Sequence, residues 1–203
     1  MTIDELKKYV SITEIKRDCV RVKANDGYML KLGDSYTDEL FCERSAIPDN
    51  LIVVPYSTYL IESNKEKYKG MTVEEAKEKL VAEITAYDTS PSVNGFILNG
   101  MLIPWSKDDP SSPNVDKRMG LRQNIADKIA LGEENISIWL KGMSFTMPCA
   151  QAEVLMRSIE NYAYECFNVT ASHKAAVSEL KTIEEVEAYD FKAGYPKMLE
   201  MSV

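Results

Sequence analysis

The segment NISIWLKGMSFTMPCAQAEVLMRSIENYAYECF, residues 135–167, places a hairpin pattern directly before the longest helical pattern of the chain. The first part predicts a β-hairpin that turns at Lys141-Gly142, and Pro148 suits the first turn of the following helix. In the second part, apolar residues recur at three- and four-residue steps, which is typical of a helix with one buried stripe. These residues are Ala152, Leu155, Met156, Ile159, Ala163, Cys166 and Phe167. A hairpin followed by a long helix predicts an α+β fold.

Other patterns extend this prediction over residues 72–203. Thr72 and Glu75 form a capping-box pattern, which predicts a helix running to about Tyr87. Asn99-Gly100 predicts the turn of a further hairpin, because both positions of such a turn need positive φ. Another helix is expected to end at Gly132, and the long helix is expected to continue from residue 149 to about 180. We therefore predict a helix and β-hairpin domain over residues 72–203 that ends in long helices.

The N-terminal residues 1–62 predict a small β-rich domain. The segment CVRVKANDGYMLKL, residues 19–32, alternates apolar and polar residues on both sides of Asn25-Asp26-Gly27, which predicts a hairpin. DELFCER and NLIVVPYSTYLIE predict one to three more strands. The polar segment over residues 63–71 predicts a linker between the two domains.

The composition excludes several classes of protein. The chain has 203 residues, 45% of them hydrophobic and 28% charged, which is ordinary for a globular protein. The net charge is -8 and the acidic residues are spread along the chain, so no nucleic-acid partner is predicted. The N-terminal segment lacks the uninterrupted apolar core of a signal peptide, and no apolar run in the chain approaches the length of a membrane span. We expect a soluble chain that is synthesised in the cytoplasm and does not insert into a membrane.

Reactive side chains are few, and none has a recognisable catalytic spacing. Cys166 precedes the single histidine, His173, by seven residues, which on a continuous helix separates them by about 10 Å along the axis. A catalytic pair would need about 3 Å, so a Cys-His dyad requires the helix to break near Asn168. Cys149, in the first turn of the helix, is either an activated thiol or a packed one.

Cofactor and metal sites are not predicted. Asp108, Asp109 and Asp116 could surround a cation, but their spacing does not match a calcium loop and prolines interrupt it. The four cysteines show no zinc or disulfide spacing. Phosphate-binding glycine loops and hydrolase motifs are also missing from the sequence, so we expect a protein that is not an enzyme.

Aromatic side chains are the candidate contact residues. Trp105 lies next to a loop and is a candidate for exposure, and with nearby tyrosines it could contact a glycan or a protein. We also name Tyr162 and His173 as candidate partner or glycan contacts. Ile136, Ile138 and Leu140 alternate around Trp139, and because SIWL is apolar on both faces we expect Trp139 in the core.

A family resemblance rests on an ordered series of segments. VNGFILNG and IPW are followed by RMGLRQNIADKIALGEENISIWLKGMSFTMPCAQAEVLMRSIENYAYECFNVTASHKAAVSELKTIEEVEAYDFKAGYP, and together they cover residues 72–196 in outline. This series resembles a phage-encoded domain family of unknown function that is frequent in prophages of gut bacteria. Members tend to be encoded beside tail and tail-fibre genes, and some look like the C-terminal part of tail-fibre assembly chaperones. The loop SKDDPSSPNVDK is longer than the turn expected in relatives, which affects the surroundings of Trp105.

The resemblance implies a protein of the phage tail, made in the host cytoplasm and acting by protein-protein contact as a virion component or adaptor. Its expected partners are other tail or tail-fibre proteins, and homo-oligomer formation stays open. A tail-fibre assembly chaperone that is missing from the mature virion is the first alternative. A glycan-binding module that uses exposed aromatic residues is the second.

Overall fold

A computed structural model describes residues 3–16, 18–104 and 115–202 of the chain, except for the side chains of residues 3, 4 and 115–118. The chain divides into two compact units. The first unit is Met1–Val73 together with Lys181–Asp190, and the second is Glu74–Leu180 together with Phe191–Val203. Both helices and strands are present, and strands dominate the N-terminal region, so the predicted α+β class is confirmed.

The helices and strands follow one another along the chain, with a single 3₁₀ turn at Arg44–Ala46. In chain order they are α1 Ile3–Leu6, β1 Val10–Lys16, β2 Cys19–Ala24, β3 Tyr28–Leu32, β4 Ser35–Thr37, β5 Glu39–Glu43, β6 Leu51–Pro55, α2 Tyr56–Lys67, α3 Val73–Thr89, β7 Gly95–Leu98, β8 Met101–Pro104, α4 Val115–Ala130, β9 Asn135–Leu140, β10 Met143–Pro148, α5 Cys149–Glu179, α6 Ile183–Glu187 and β11 Glu200–Met201.

Two three-stranded antiparallel sheets form the first unit, with strand orders β1-β2-β5 and β4-β3-β6. Side chains from both sheets enter one core, since alternate residues of a strand point to the same face. Val20 and Val22 of β2, Leu30 of β3 and Leu51 of β6 are buried there. Burial of this shared core, at about 25 cal/mol per Å² of apolar surface, holds the two sheets together.

The predicted hairpin around Asn25-Asp26-Gly27 is wrong. Strands β2 and β3 form where they were expected, but β2 pairs with β1 and β5, whereas β3 pairs with β4 and β6. The turn, in which Gly27 has φ 84°, therefore carries the chain from one sheet to the other. The hairpin partner of β2 is β1, a strand that the sequence reasoning did not predict.

Helix α2 occupies residues that were expected to be strand and linker. Pro55 stands at its N-cap with φ −57°, and proline suits a helix start because its missing N–H has no helical partner there. Residues 63–67, predicted as part of a linker, are the last turns of α2. The helix is fixed from within the same unit, because the Asn64 amide donates a buried hydrogen bond of 2.7 Å to the carbonyl oxygen of Glu187.

Two predicted hairpins are confirmed in the second unit. Strands β7 and β8 pair around Asn99-Gly100, and β9 and β10 pair around Lys141-Gly142. All four turn residues have φ between 48° and 77°. Two consecutive residues with positive φ form the tight turn that joins antiparallel strands. The short strand β11 adds to β7 in parallel, a pairing that the sequence reasoning missed.

The long helix α5 is unbroken for 31 residues, and its N-terminal half forms one side of the second core. Its predicted stripe is buried at Ala152, Leu155, Met156, Ile159 and Cys166. The first four pack with the inward side chains of β7, β8, β9 and β10. Helices α3 and α4 also form as predicted, and Gly132, with φ 75°, ends α4. Among the described residues, no helix is long and apolar enough to cross a membrane.

Candidate functional site

A cavity of about 170 Å³ opens within the second unit, between the end of α3, the residues that lead into β7, and the middle of α5. Residues three and four apart on a helix share a face, so α5 presents a continuous wall to this space. The apolar lining is Val93, Gly95, Phe96, Ile159, Ala163 and Phe167. The polar lining is Asp88, Asn94, Tyr162 and Cys166.

Gly95, which lines the cavity, allows the chain to pass close to the backbone of neighbouring residues. A Cβ atom at this position would lie 2.9 Å from the carbonyl oxygen of Pro91 and 3.2 Å from that of Ile103. Both distances are shorter than ordinary carbon-oxygen contacts, and backbone atoms cannot rotate away. Glycine is therefore required where β7 begins.

A hydrogen-bonded chain of three side chains lies at the Asp88 end of the cavity. Thr170 is only 4% exposed, and its hydroxyl donates to Asp88 Oδ1 over 2.6 Å. Because that hydroxyl has a single proton, the Tyr195 phenol must donate to Thr170 Oγ1, over 2.8 Å. Burial raises the pKa of the Tyr195 phenol, and the charge of Asp88 acts in the same direction. The phenol therefore stays a neutral donor.

Cys166 is a buried, protonated thiol in the wall of the cavity. Burial raises its pKa, which is only partly offset by a hydrogen bond from the Tyr162 phenol. The Cys166 thiol itself donates weakly to the carbonyl oxygen of Val93, at 4.0 Å. Burial likewise raises the pKa of Tyr162. Since the thiolate is the nucleophilic form of cysteine, this environment favours a packed thiol over a reactive one.

His173 lies two helical turns from Cys166 on the unbroken helix α5. Its half-buried ring is hydrogen-bonded through Nε2 to the carbonyl oxygen of Ala193, at 2.9 Å, so Nε2 carries the proton. The ring also lies beside Tyr195, with 5.7 Å between ring centroids. His173 therefore contacts the segment after α6 and not the thiol. The separation of His173 from Cys166 is what a continuous helix predicts.

For the other candidate catalytic or metal-binding residues, the described part of the chain shows no site. Cys149 begins α5 but is buried in the second core, so it is a packed thiol. Asp108, Asp109 and Trp105 lie outside the described residues, as does the side chain of Asp116. Within the described ranges, no group of three or more His, Cys, Asp or Glu side chains could hold a metal ion.

Two aromatic residues lie where the sequence reasoning did not place them. Trp139, expected in the core, is 71% exposed. Ile136, Ile138 and Leu140 all point inward from β9, so the residue between them must point outward. The strict alternation was therefore the signal that could have exposed this error. Tyr162, named as a candidate contact, is only 9% exposed and cannot offer its ring as an open platform.

Trp139 lies on an outward-facing surface of the β9–β10 hairpin that we call the ribbon face. The ribbon face consists of Asn135, Ser137, Trp139, Ser144 and Thr146, all of them exposed. Ser144 is the cross-strand partner of Trp139, and the hydroxyl groups of Ser137 and Thr146 are 2.8 Å apart. A large indole ring thus stands among small, uncharged polar side chains.

Comparison of the chain with protein-family models, with curated proteins and with solved structures found no match. The resemblance to the phage-encoded family therefore rests on the residues quoted above, and the function that it implies is a proposal.

Proposed function

We propose that this chain is a non-enzymatic, tail-associated protein of a bacteriophage, and that it acts by protein-protein contact as a virion component or adaptor. The resemblance over residues 72–196 is the reason for naming phage tails. Its partners would be other tail or tail-fibre proteins. The phage particle would be its final location, after synthesis in the cytoplasm of the bacterial host.

The observation that carries the contact role is the exposed Trp139 on the ribbon face. Tryptophan is enriched among the few interface residues that dominate binding, because it buries a large rigid surface at a small cost in side-chain entropy. Trp139 is 71% exposed, and neighbours such as Ser137 and Ser144 are small. Among the described residues, β9 and β10 pair only with each other, so each strand has an outer edge without a strand partner.

Mass spectrometry of purified phage particles tests this proposal, with the copy number calibrated against the major capsid protein. The wild-type chain should be present at a small fixed number per particle. Trp139→Ala should lower that number at least tenfold, because a central tryptophan typically contributes about 2 kcal/mol or more to an interface. Phe41→Ala, which removes an exposed aromatic ring outside the ribbon face, is the matched control and should leave the number unchanged.

The same experiment separates the proposal from the first alternative. A chain that is missing from particles but co-purifies with a fibre protein from infected cells would be an assembly chaperone. Equal incorporation of the wild-type chain and Trp139→Ala would contradict the role assigned to the ribbon face. Absence of both the wild-type chain and Trp139→Ala from particles and from all fibre complexes would contradict the phage-tail proposal itself.

The glycan-binding alternative has weaker support. It needs exposed aromatic rings, and Tyr162 does not provide one. Trp139 does have the exposure that sugar stacking requires, so glycan-dependent quenching of tryptophan fluorescence that disappears in Trp139→Ala would favour this alternative. Unchanged fluorescence across a broad panel of glycans would count against it.

A further inference from the structure

The cavity beside α5 has a polar end with unused hydrogen-bonding capacity. Asp88 accepts one hydrogen bond, from Thr170, at Oδ1, and a carboxylate can accept about four. Among the residues that the structure describes, no lysine, arginine or histidine lies within ion-pair distance of Asp88, and the Asn94 side chain has no hydrogen-bond partner. Asp88 and Asn94 thus line the same small space, and among the described residues no cationic side chain pairs with Asp88 there.

The rest of the cavity is apolar. Phe96 and Ile159 are buried in its wall, and Phe167, which is largely exposed, lies at its edge. The volume of about 170 Å³ is close to that of a protein cavity known to hold a benzene molecule. An occupant therefore has room for about four to six carbon atoms.

We propose that this cavity binds a primary ammonium group carried on a short aliphatic chain. The ammonium would donate to Asp88 and to the Asn94 side-chain oxygen, and the methylene groups would lie against Phe96 and Ile159. An anionic ligand would be repelled by Asp88, and a purely apolar ligand would leave the Asn94 side chain and the remaining acceptor positions of Asp88 unused. A free alkylamine and the side chain of a lysine in another protein share this chemistry. The inference does not depend on the phage-tail proposal.

Nuclear magnetic resonance titration of the full chain at pH 7 tests the inference. The probes are n-butylammonium, n-butanol and butyrate, which share a carbon chain and differ in charge. We expect n-butylammonium to shift the side-chain amide signals of Asn94 and the backbone signals around Cys166, and to bind at least tenfold more tightly than n-butanol. Butyrate should cause no shift at these positions. Equal responses to the three probes would overturn the proposal.

A charge-removing variant makes the test specific. Asp88→Asn keeps an oxygen that can accept from Thr170 but removes the negative charge, and it should weaken n-butylammonium binding by roughly 10- to 100-fold. Asp34→Asn, at an exposed turn of the first unit, is the matched control and should have no effect. Unchanged affinity in Asp88→Asn would show that Asp88 does not select the ligand, and would overturn the assignment.

A second pair of probes distinguishes the source of the ammonium. A Gly-Lys-Gly peptide with blocked ends carries the group as a protein would, and its acetyl-lysine counterpart lacks the charge. Binding of the lysine peptide at the same signals, lost on acetylation, would identify a protein side chain as the occupant. Binding of n-butylammonium alone would identify a free amine.

Discussion

At the scale of single residues, Thr170 holds the polar end of the cavity together. Thr170→Val keeps the shape of the side chain but leaves the Tyr195 phenol and Asp88 without their shared partner. Removing one member of a buried network costs about 1–3 kcal/mol, so the variant should unfold at a lower urea concentration.

Thr85→Val is the control, because Thr85 is exposed and bonds only within α3. Its free energy of unfolding should change by less than about 0.5 kcal/mol. Equal effects in the two variants would contradict the network.

Part of this site could be predicted from the sequence. Ile159, Ala163, Cys166 and Phe167 recur at helical spacing, and that spacing alone places them on one face of a helix. Asp88 and Asn94 could not be predicted as their neighbours. Their approach depends on how α3 and β7 pack against α5, and nothing in the local sequence encodes a contact between residues so far apart along the chain.

Gly95 is the second residue whose role is local and testable. Gly95→Ala should destabilise the second unit by about 1–3 kcal/mol, since the new methyl group would press on the carbonyl oxygens of Pro91 and Ile103. Gly120→Ala is the matched control, because a Cβ there meets nothing within 4 Å and the residue lies in α4. This control should gain up to about 1 kcal/mol, since alanine favours helix over glycine. Urea unfolding followed by tryptophan fluorescence measures both changes, and a stable Gly95→Ala would refute the steric argument.

At the scale of elements, hairpins with a two-residue turn were predictable and longer-range pairings were not. Asn99-Gly100 and Lys141-Gly142 fix both turn and register locally, because few residue pairs tolerate two positive φ angles. The three residues 25–27 do not fix a turn and register in this way, and β2 pairs with β1 and β5 rather than with β3. Helix α2 could not be predicted in the same way, because its residues 56–61 are rich in aromatic and branched side chains, which favour a strand over NLIVVPYSTYLIE.

The two confirmed turns differ in one residue, which allows a reciprocal exchange. Lys141 has φ 48°, a conformation that costs lysine more than asparagine. Lys141→Asn should therefore stabilise the β9–β10 hairpin by several tenths of a kcal/mol, and Asn99→Lys should destabilise the β7–β8 hairpin by a similar amount. Urea unfolding of both variants measures the pair. Changes of the same sign would mean that backbone conformation does not decide the effect.

At the scale of the whole molecule, the first unit is built from two separate segments of the chain. Residues 63–67 complete α2, and Lys181–Asp190 returns to the first unit after the chain has passed through the second. The capping box of Thr182 and Glu185 was visible in the sequence and does start α6. Its membership of the first unit was not visible, because a cap determines where a helix begins but not what the helix packs against.

The discontinuous first unit leads to a prediction about truncation. Residues 1–62 alone should not unfold cooperatively in urea, because the fragment loses the end of α2 and all of α6.

In the full chain, Asn64→Ala should leave the buried carbonyl of Glu187 without its partner, at a cost of about 1–3 kcal/mol. Amide hydrogen exchange in β2 and β3 should then become roughly 5- to 150-fold faster, since these strands exchange through opening of that unit. Asn124→Ala, at an exposed position of α4, serves as the control and should leave exchange in these strands unchanged.

Cooperative unfolding of the 1–62 fragment, together with normal exchange in Asn64→Ala, would mean that the six strands are stable without α6.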